Sequence, residues 1–305
     1  MGIVVVGTVA FDTVETPFGR RENVLGGSAT YFSTSASFFT DVSLVAVVGE
    51  DFPQEHVDFL HSREIDTAGL QRLPGETFHW TGRYGFDLNE AQTLDTRLNV
   101  LTQFKPELPA AYREAEFLFL ANIDPDLQLE VLEQVARPKL VACDTMNFWI
   151  SSKPEALKKV LQRVDIVVIN EGEARQLTGE ANLVKAARKI IDLGCRRLVV
   201  KRGEYGVLMF TDDSVFAAPA WPLEEVFDPT GAGDTFAGGF MGYLANTGDI
   251  SEEGLRQAIV FGSAMASFNV EDFSLDRMRT LTYREIEARY RNFKGLTSFP
   301  DLGTP

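Results

Sequence analysis

The amino-acid sequence predicts an α/β fold, doubly wound, with a mostly parallel central sheet flanked by helices and a small β-sheet lid. Three observations carry this expectation. Short unbroken apolar runs rich in β-branched residues recur, as they do in strands buried on both faces of a parallel sheet. Longer helical patterns alternate with them in a repeated βα order. One stretch, from about Gln71 to Gln103, interrupts the alternation with Thr, Gly and aromatic residues at strand-like spacing.

The strand candidates are, in order, Ile3 to Val6, Leu44 to Val48, Phe117 to Leu120, Leu140 to Cys143, Ile166 to Ile169 and Leu198 to Val200. Helical patterns between them cover Pro53 to Arg63, Asp126 to Ala136, Pro154 to Arg163 and Leu183 to Leu193. The interrupting stretch places Phe78, Trp80, Tyr84 and Phe86 two or four residues apart. Together with Thr8 to Arg20 it is expected to form a small sheet beside the core, so that residues 8–20 and 71–103 make a lid. No repeat, low-complexity stretch or flexible linker divides the chain, and residues 1–305 are expected to form a single domain.

The chain has 305 residues, 45% of them hydrophobic, enough to bury a large core. Its net charge of −15 argues against nucleic-acid binding, which depends on clustered Lys and Arg. Backbone amides and one or two cations would have to hold any anionic ligand at contact distance, since the wider field is screened beyond about 8 Å. Cys143 and Cys195 both sit in apolar stretches, and the start runs from Met1 straight into a strand pattern. That reads as a reduced, cytoplasmic, unprocessed protein. No apolar run approaches the roughly 18 to 20 residues that span a bilayer, and no basic amphipathic segment suggests a membrane surface.

The strongest chemical signal is Asp228-Pro229-Thr230-Gly231-Ala232-Gly233-Asp234-Thr235-Phe236-Ala237-Gly238-Gly239-Phe240, leading into a helix pattern that ends near Ala245. Glycines at a helix start leave the first amides unobstructed, and those amides with the helix dipole form a site for negative charge. Asp234 falls in the first turn. It suits a simple cap, and equally a base that accepts the proton of an attacking hydroxyl beside an anion hole. The dipole is expected to lower its pKa. In a loose phosphoryl-transfer transition state, orientation and late proton capture matter more than base strength.

This segment matches Asp-x-Thr-Gly-Ala-Gly-Asp-x-Phe-x-x-Gly in full, and the chain resembles the ribokinase-like family of sugar and nucleoside kinases, also called the phosphofructokinase B (PfkB) family. The resemblance extends over the length and motif order of the chain. It implies a ribokinase-like fold, ATP and Mg²⁺ as co-substrates, Asp234 as base, and Gly231, Ala232 and Gly233 lining the anion hole. It also places Thr230 at the nucleotide, and K⁺ is a candidate monovalent cation.

Further segments agree with the resemblance. Asn170-Glu171-Gly172-Glu173 looks like the family's Asn-x-x-Glu motif, with Asn170 near the phosphates and Glu173 organising Mg²⁺ largely through water. The same residues also read as a helix capping box. Lys201-Arg202-Gly203-Glu204-Tyr205-Gly206 resembles the nucleotide-binding turn, with Lys201, Gly203 and Gly206 at the nucleotide; the glycines equally suit a hairpin. Gly26-Gly27 stands in the place of the Gly-Gly substrate motif, and Asp12 matches the Asp that binds substrate hydroxyls, or is a turn residue. Tyr31 occupies a position where the family usually has a substrate-contacting Asn, and Pro53 one where many members have Gly. The small-residue run Gly262 to Ser267 falls at the adenine pocket of relatives, with Ser263 as its candidate contact, and suits close helix packing as well. No His pair has metal-ligand spacing, and the Walker loop is absent.

The expected function is therefore ATP-dependent phosphorylation of an alcohol group on a small sugar. A nucleoside kinase is the close alternative, since Phe78, His79, Trp80, Tyr84 and Phe86 could stack a base. A non-catalytic sugar or nucleotide sensor is the alternative of another class. A homodimer pairing through the exposed lid is also expected.

Overall fold

The computed structural model describes residues 2–300; Met1 and residues 301–305, part of the expected single domain, lie outside the described residues. The chain begins with β1 (Gly2–Val6), β2 (Ala10–Thr16), β3 (Gly19–Gly26), α1 (Ser28–Ala36), β4 (Asp41–Val48), α2 (Gln54–Ser62) and β5 (Ile65–Arg72). It continues through β6 (His79–Tyr84), β7 (Ala91–Arg97), β8 (Phe117–Leu120), α3 (Pro125–Leu132), β9 (Leu140–Cys143), α4 (Asn147–Ser152) and α5 (Pro154–Leu161). There follow β10 (Ile166–Asn170), α6 (Glu171–Thr178), α7 (Leu183–Ile191), β11 (Arg197–Lys201), β12 (Val207–Phe210) and β13 (Val215–Ala218). Four helices close the fold: α8 (Ala232–Thr247), α9 (Glu252–Asn269), α10 (Asp276–Thr280) and α11 (Tyr283–Thr297).

The large sheet has the order β13-β12-β11-β10-β9-β8-β1-β4-β5, parallel from β11 through β5, with β12 and β13 antiparallel at one edge. The order turns back at β1, whose neighbours are β4 on one side and β8 on the other. Such a reversal opens a crevice beyond the carboxyl ends of the strands, where α/β folds bind ligands. Two apolar clusters cover the two faces of the sheet, one against α1, α8 and α9 and the other against α3, α5 and α7. α1 is buried along its whole length. Phe32 on α1 stacks on Phe119 of β8 with ring centroids 4.3 Å apart.

The small sheet has the order β3-β2-β6-β7, which leaves β3 and β7 as its edges. It differs from the expected lid in two respects. β3 carries it beyond Arg20 to Gly26, so Gly26 ends a strand and only Gly27 caps α1. The expected 71–103 stretch starts within β5 of the large sheet and closes in a 3-10 turn at Asn99–Gln103. Gly, Asn and charged residues in Gly19–Gly26 hid a half-exposed strand that alternation alone does not disclose. Strands β5, β12 and β13 are likewise additions to the sequence-based reading. Among the described residues no helix is long and apolar enough to cross a membrane. Cys143 and Cys195 are buried free thiols.

The Phe32–Phe119 stack joins α1 to the sheet immediately below the crevice. Replacing Phe32 by Ala is expected to lower unfolding stability by about 3–5 kcal/mol, measured by urea denaturation; a loss below about 1 kcal/mol would show that the stack does not anchor α1.

Candidate active site

Parallel strands β9, β10 and β11 deliver Asp144, Asn170 and Lys201 to the same edge of the sheet; Asn170 and Lys201 are register partners, and β9 stops at the level of Val167, so Asp144 follows it lower on that edge. The Lys201 ammonium donates to Asp144 Oδ2 at 2.8 Å, with the two side chains 17% and 5% exposed. It also lies against the backbone at the start of α8: a Cβ added at Gly233 would stand 2.8 Å from Lys201 Nζ. A side chain there would have to displace the ammonium from the helix terminus.

Pro229 to Ala232 form a turn closed by the Ala232 N–H, which donates to the Pro229 carbonyl at 3.1 Å, with Gly231 at φ 72°. The expectation that the Ala232 amide lines an anion hole is corrected, since the turn engages it. The Gly233 and Asp234 amides keep no backbone partner among the described residues and are the free donors at this terminus. A side chain at Gly231 would collide with the face of the Tyr31 ring. Tyr31, expected to contact substrate, is 1% exposed and its hydroxyl is buried without a hydrogen-bond partner among the described residues. It supports the Gly231 turn from behind instead, because its ring fills the volume that the glycine leaves.

No side-chain hydrogen bond caps α8, so Asp234 is not acting as its cap. The pKa of Asp234 is raised by burial first and by the Asp144 charge second, with Lys201 opposing. The expected lowering by the helix dipole is thus overturned, because desolvation and a like charge outweigh the partial charge of the terminus. Glu173 and Asn170 form the capping box: the Asn170 N–H donates to Glu173 Oε2 and the Glu173 N–H to Asn170 Oδ1, both at 2.8 Å. The cap fixes the carboxyl of Glu173 within electrostatic reach of Asp144, Lys201 and Asp234. Burial and Asp144 raise its pKa, Lys201 and the Asn170 N–H oppose, and Asp234 adds to the rise. Burial works against the Lys201 ammonium, but Asp144, Glu173 and Asp234 outweigh it and hold its pKa above the usual value.

Asp144, Glu173 and Asp234 thus share one ammonium. That charge balance fits a divalent cation arriving with a polyphosphate. Among the described residues no group of three His, Cys, Asp or Glu is arranged to hold a metal alone, which suits an ion that keeps waters and binds through phosphates.

On the other side of the crevice, Asp12 lies in β2, not in a bend, next to a register shift between Asp12 and Val14. Its carboxyl occupies the space that a side chain at Gly26 would need, and it accepts the Gly27 N–H. Gly27, at φ 94°, lets α1 start within contact of the Thr8 backbone. Asp12 is only 4% exposed; burial first, then Asp228 and Asp234, push its pKa up to about 8 against the Gly27 N–H. Thr230 is held on three sides. Its N–H donates to Asp228 Oδ1 at 2.9 Å, its carbonyl accepts from Asn269 Nδ2 at 2.9 Å, and its hydroxyl donates to the Tyr84 hydroxyl of β6 at 3.3 Å. Asp228 also accepts the Ser274 N–H at 3.0 Å.

The structure therefore gathers Asp12, Gly26, Gly27, Tyr31, Thr230, Gly231, Gly233 and Asp234 in one cluster, with Asn170, Glu173 and Lys201 adjoining. Gly203 and Gly206 lie on the hairpin connection of β11 to β12, where Asn89 from the β6–β7 loop fills the space beside Gly203. Ser263 lies on α9, 9% exposed, beside Gly262, which packs against Phe236 of α8. Asp144 was missed, although it follows a buried strand just as Asn170 and Lys201 do. The Tyr84–Thr230 contact has no local sequence signal, being 146 residues apart.

Residues 3–279 match the pfkB family carbohydrate kinase model. The chain is 37% identical over 250 residues to a cytidine kinase of Thermococcus kodakarensis, covering 79% of this chain and 87% of that protein. It is 33% identical over 275 residues to a ribokinase of Haemophilus influenzae, covering 84% of each. The fold is that of Arabidopsis thaliana ribokinase complexed with ribose and ATP, with a TM-score of 0.75 at 18% identity over 95% of this chain and 98% of that one.

Removing the Asp144 charge should relieve Asp234 twice, by deleting a like charge and by freeing Lys201. An Asp144→Asn variant is expected to lower the titration midpoint of Asp234 by about one pH unit, read by carboxyl carbon NMR; an unchanged midpoint would exclude Asp144 as a cause of the raised pKa.

Proposed function

The chain belongs to the pfkB family of carbohydrate kinases, and we propose that it transfers the γ-phosphoryl group of ATP to a hydroxyl of a small sugar or nucleoside. The observation that carries this reading is the placement of Asp234 between two kinds of group. On one side stand Asp12 and the Gly26-Gly27 turn; on the other, the free Gly233 and Asp234 amides and the Lys201 ammonium.

In this reading Asp12 accepts hydrogen bonds from neighbouring hydroxyls of the acceptor and fixes its orientation. Asp234 accepts the proton of the hydroxyl that attacks. Its raised pKa suits that role, because a carboxylate held well above the usual range captures a proton more readily near neutrality. The Gly233 and Asp234 amides and Lys201 face the charge that develops on the transferred group. Asp144 holds Lys201 in place. Mg²⁺, when bound with the nucleotide, would be held in part by Glu173 and would supply charge neutralisation of the phosphates. Thr230, Gly203, Gly206 and Ser263 belong to the proposed nucleotide side, and the small sheet, tied to the motif by Tyr84, is the proposed lid that excludes water. Pairing of two copies along the β3 or β7 edge is part of the proposal for assembly.

Asp234→Asn is expected to lower kcat by about 10²- to 10⁴-fold in an ADP-release assay while leaving the KM for ATP nearly unchanged. Undiminished turnover would remove Asp234 from the role of base. In the parent enzyme activity should fall as pH drops through the raised pKa of Asp234, so the acid limb of kcat/KM should lie well above pH 4.

A further inference from the structure

The small sheet presents two chemically different faces. On β2 and β6 the residues of one parity are Asp12, Val14, Trp80, Gly82 and Tyr84, with Asp12 paired to Trp80 and Val14 to Gly82. This face is turned to the core: Asp12 and Val14 are buried, and Tyr84 reaches Thr230. The opposite parity carries the exposed pair Arg83–Glu15, whose side chains are 50% and 38% exposed.

Trp80 is constrained on the inner face. A Cβ at Gly82 would collide with three carbons of the indole, so the ring lies flat along its own strand over the missing side chain. Its Nε1 donates to Thr93 Oγ1 of β7 at 3.2 Å, which fixes the ring against rotation. The result is a half-buried aromatic plane one strand away from Asp12, about 4.8 Å across the sheet. The inner-face positions Asp12, Val14, Trp80, Gly82, Tyr84 and Thr93 include no Lys or Arg. Asp228 and Asp234 stand close enough to act on Asp12, and Lys201 is paired with Asp144. An acceptor bearing a phosphate or carboxylate would meet Asp12 and Asp234 here and no Lys or Arg on this face.

We infer that the acceptor is a neutral nucleoside, with its ribose hydroxyls on Asp12 and its base stacked on the indole of Trp80. The inference rests on the phosphotransferase reading and adds a specificity-determining residue to it. A free sugar satisfies Asp12 but leaves the plane uncovered. A planar substituent on the same sugar covers it, and base–aromatic stacking is favourable for every base.

The test compares cytidine, uridine, adenosine and ribose as acceptors with ATP and Mg²⁺, in the parent protein, Trp80→Ala, Trp80→Phe and Gly82→Ala. Trp80→Ala should raise the KM for the preferred nucleoside by about 10- to 100-fold, change kcat less, and leave the KM for ribose nearly unmoved. Trp80→Phe should recover part of the loss. Gly82→Ala keeps the indole but tilts it off the strand, and should raise the same KM without removing apolar surface. Thermal melting of each variant checks that it is folded. Preference for ribose in the parent, or equal effects on ribose and nucleosides in Trp80→Ala and Gly82→Ala, would overturn the platform and leave the kinase reading intact. Absence of turnover with every acceptor would overturn both.

Discussion

The Lys201 ammonium stands against Gly233 and among Asp144, Glu173 and Asp234, and the electrostatics of the crevice depend on that one cation. A lysine this buried is costly unless paired, and the 2.8 Å contact with Asp144 provides the pairing. The pairing is incomplete by design of charge: three carboxylates converge on one ammonium. Burial first, and then the neighbouring carboxylates, raise the pKa of Asp234 and of Glu173. In a protein of net charge −15, any anion bound here would be held by a few atoms at contact distance.

Close backbone packing brings these atoms to the acceptor side. Gly231 admits the ring of Tyr31, Gly26 admits the carboxyl of Asp12, and Gly27 lets α1 begin beside Thr8. Further along α8, Gly238 faces the α1 backbone at Phe32 and Gly239 faces Met265 and Gly262 of α9. Small residues therefore set how closely three helices approach, and that approach fixes the separation of Asp12 from Asp234. The Phe32–Phe119 stack pins the same helix to the sheet, so packing and site geometry are two consequences of one arrangement.

The small sheet carries polar and aromatic side chains toward the signature loop. Strand parity puts Asp12, Trp80 and Tyr84 on one face and the exposed Arg83–Glu15 pair, with Phe11 and Thr13, on the other. Tyr84 joins β6 to the signature loop through Thr230, and Asn89 joins the β6–β7 loop to the β11–β12 connection through Glu204. The two contacts reach different motifs, so movement of this sheet would be felt on both sides of the crevice.

The α/β class, the parallel strands β1, β4, β8, β9, β10 and β11, the helix opening at Ala232 and the candidate residues Asp12, Asn170, Glu173, Lys201 and Asp234 were legible in the chain itself. Apolar runs, glycine pairs and charged residues at element ends are local signals, set by hydrogen bonding and by the period of each element. Tertiary structure alone decided the rest. It turned the pKa of Asp234 upward, because burial and Asp144 act through space. It moved Tyr31 from the acceptor to the back of Gly231, and placed Tyr84 on Thr230 across 146 residues. Those outcomes depend on which distant segments exclude water from a group and which charges come within a few ångströms of it, and a one-dimensional order of residues does not contain that information.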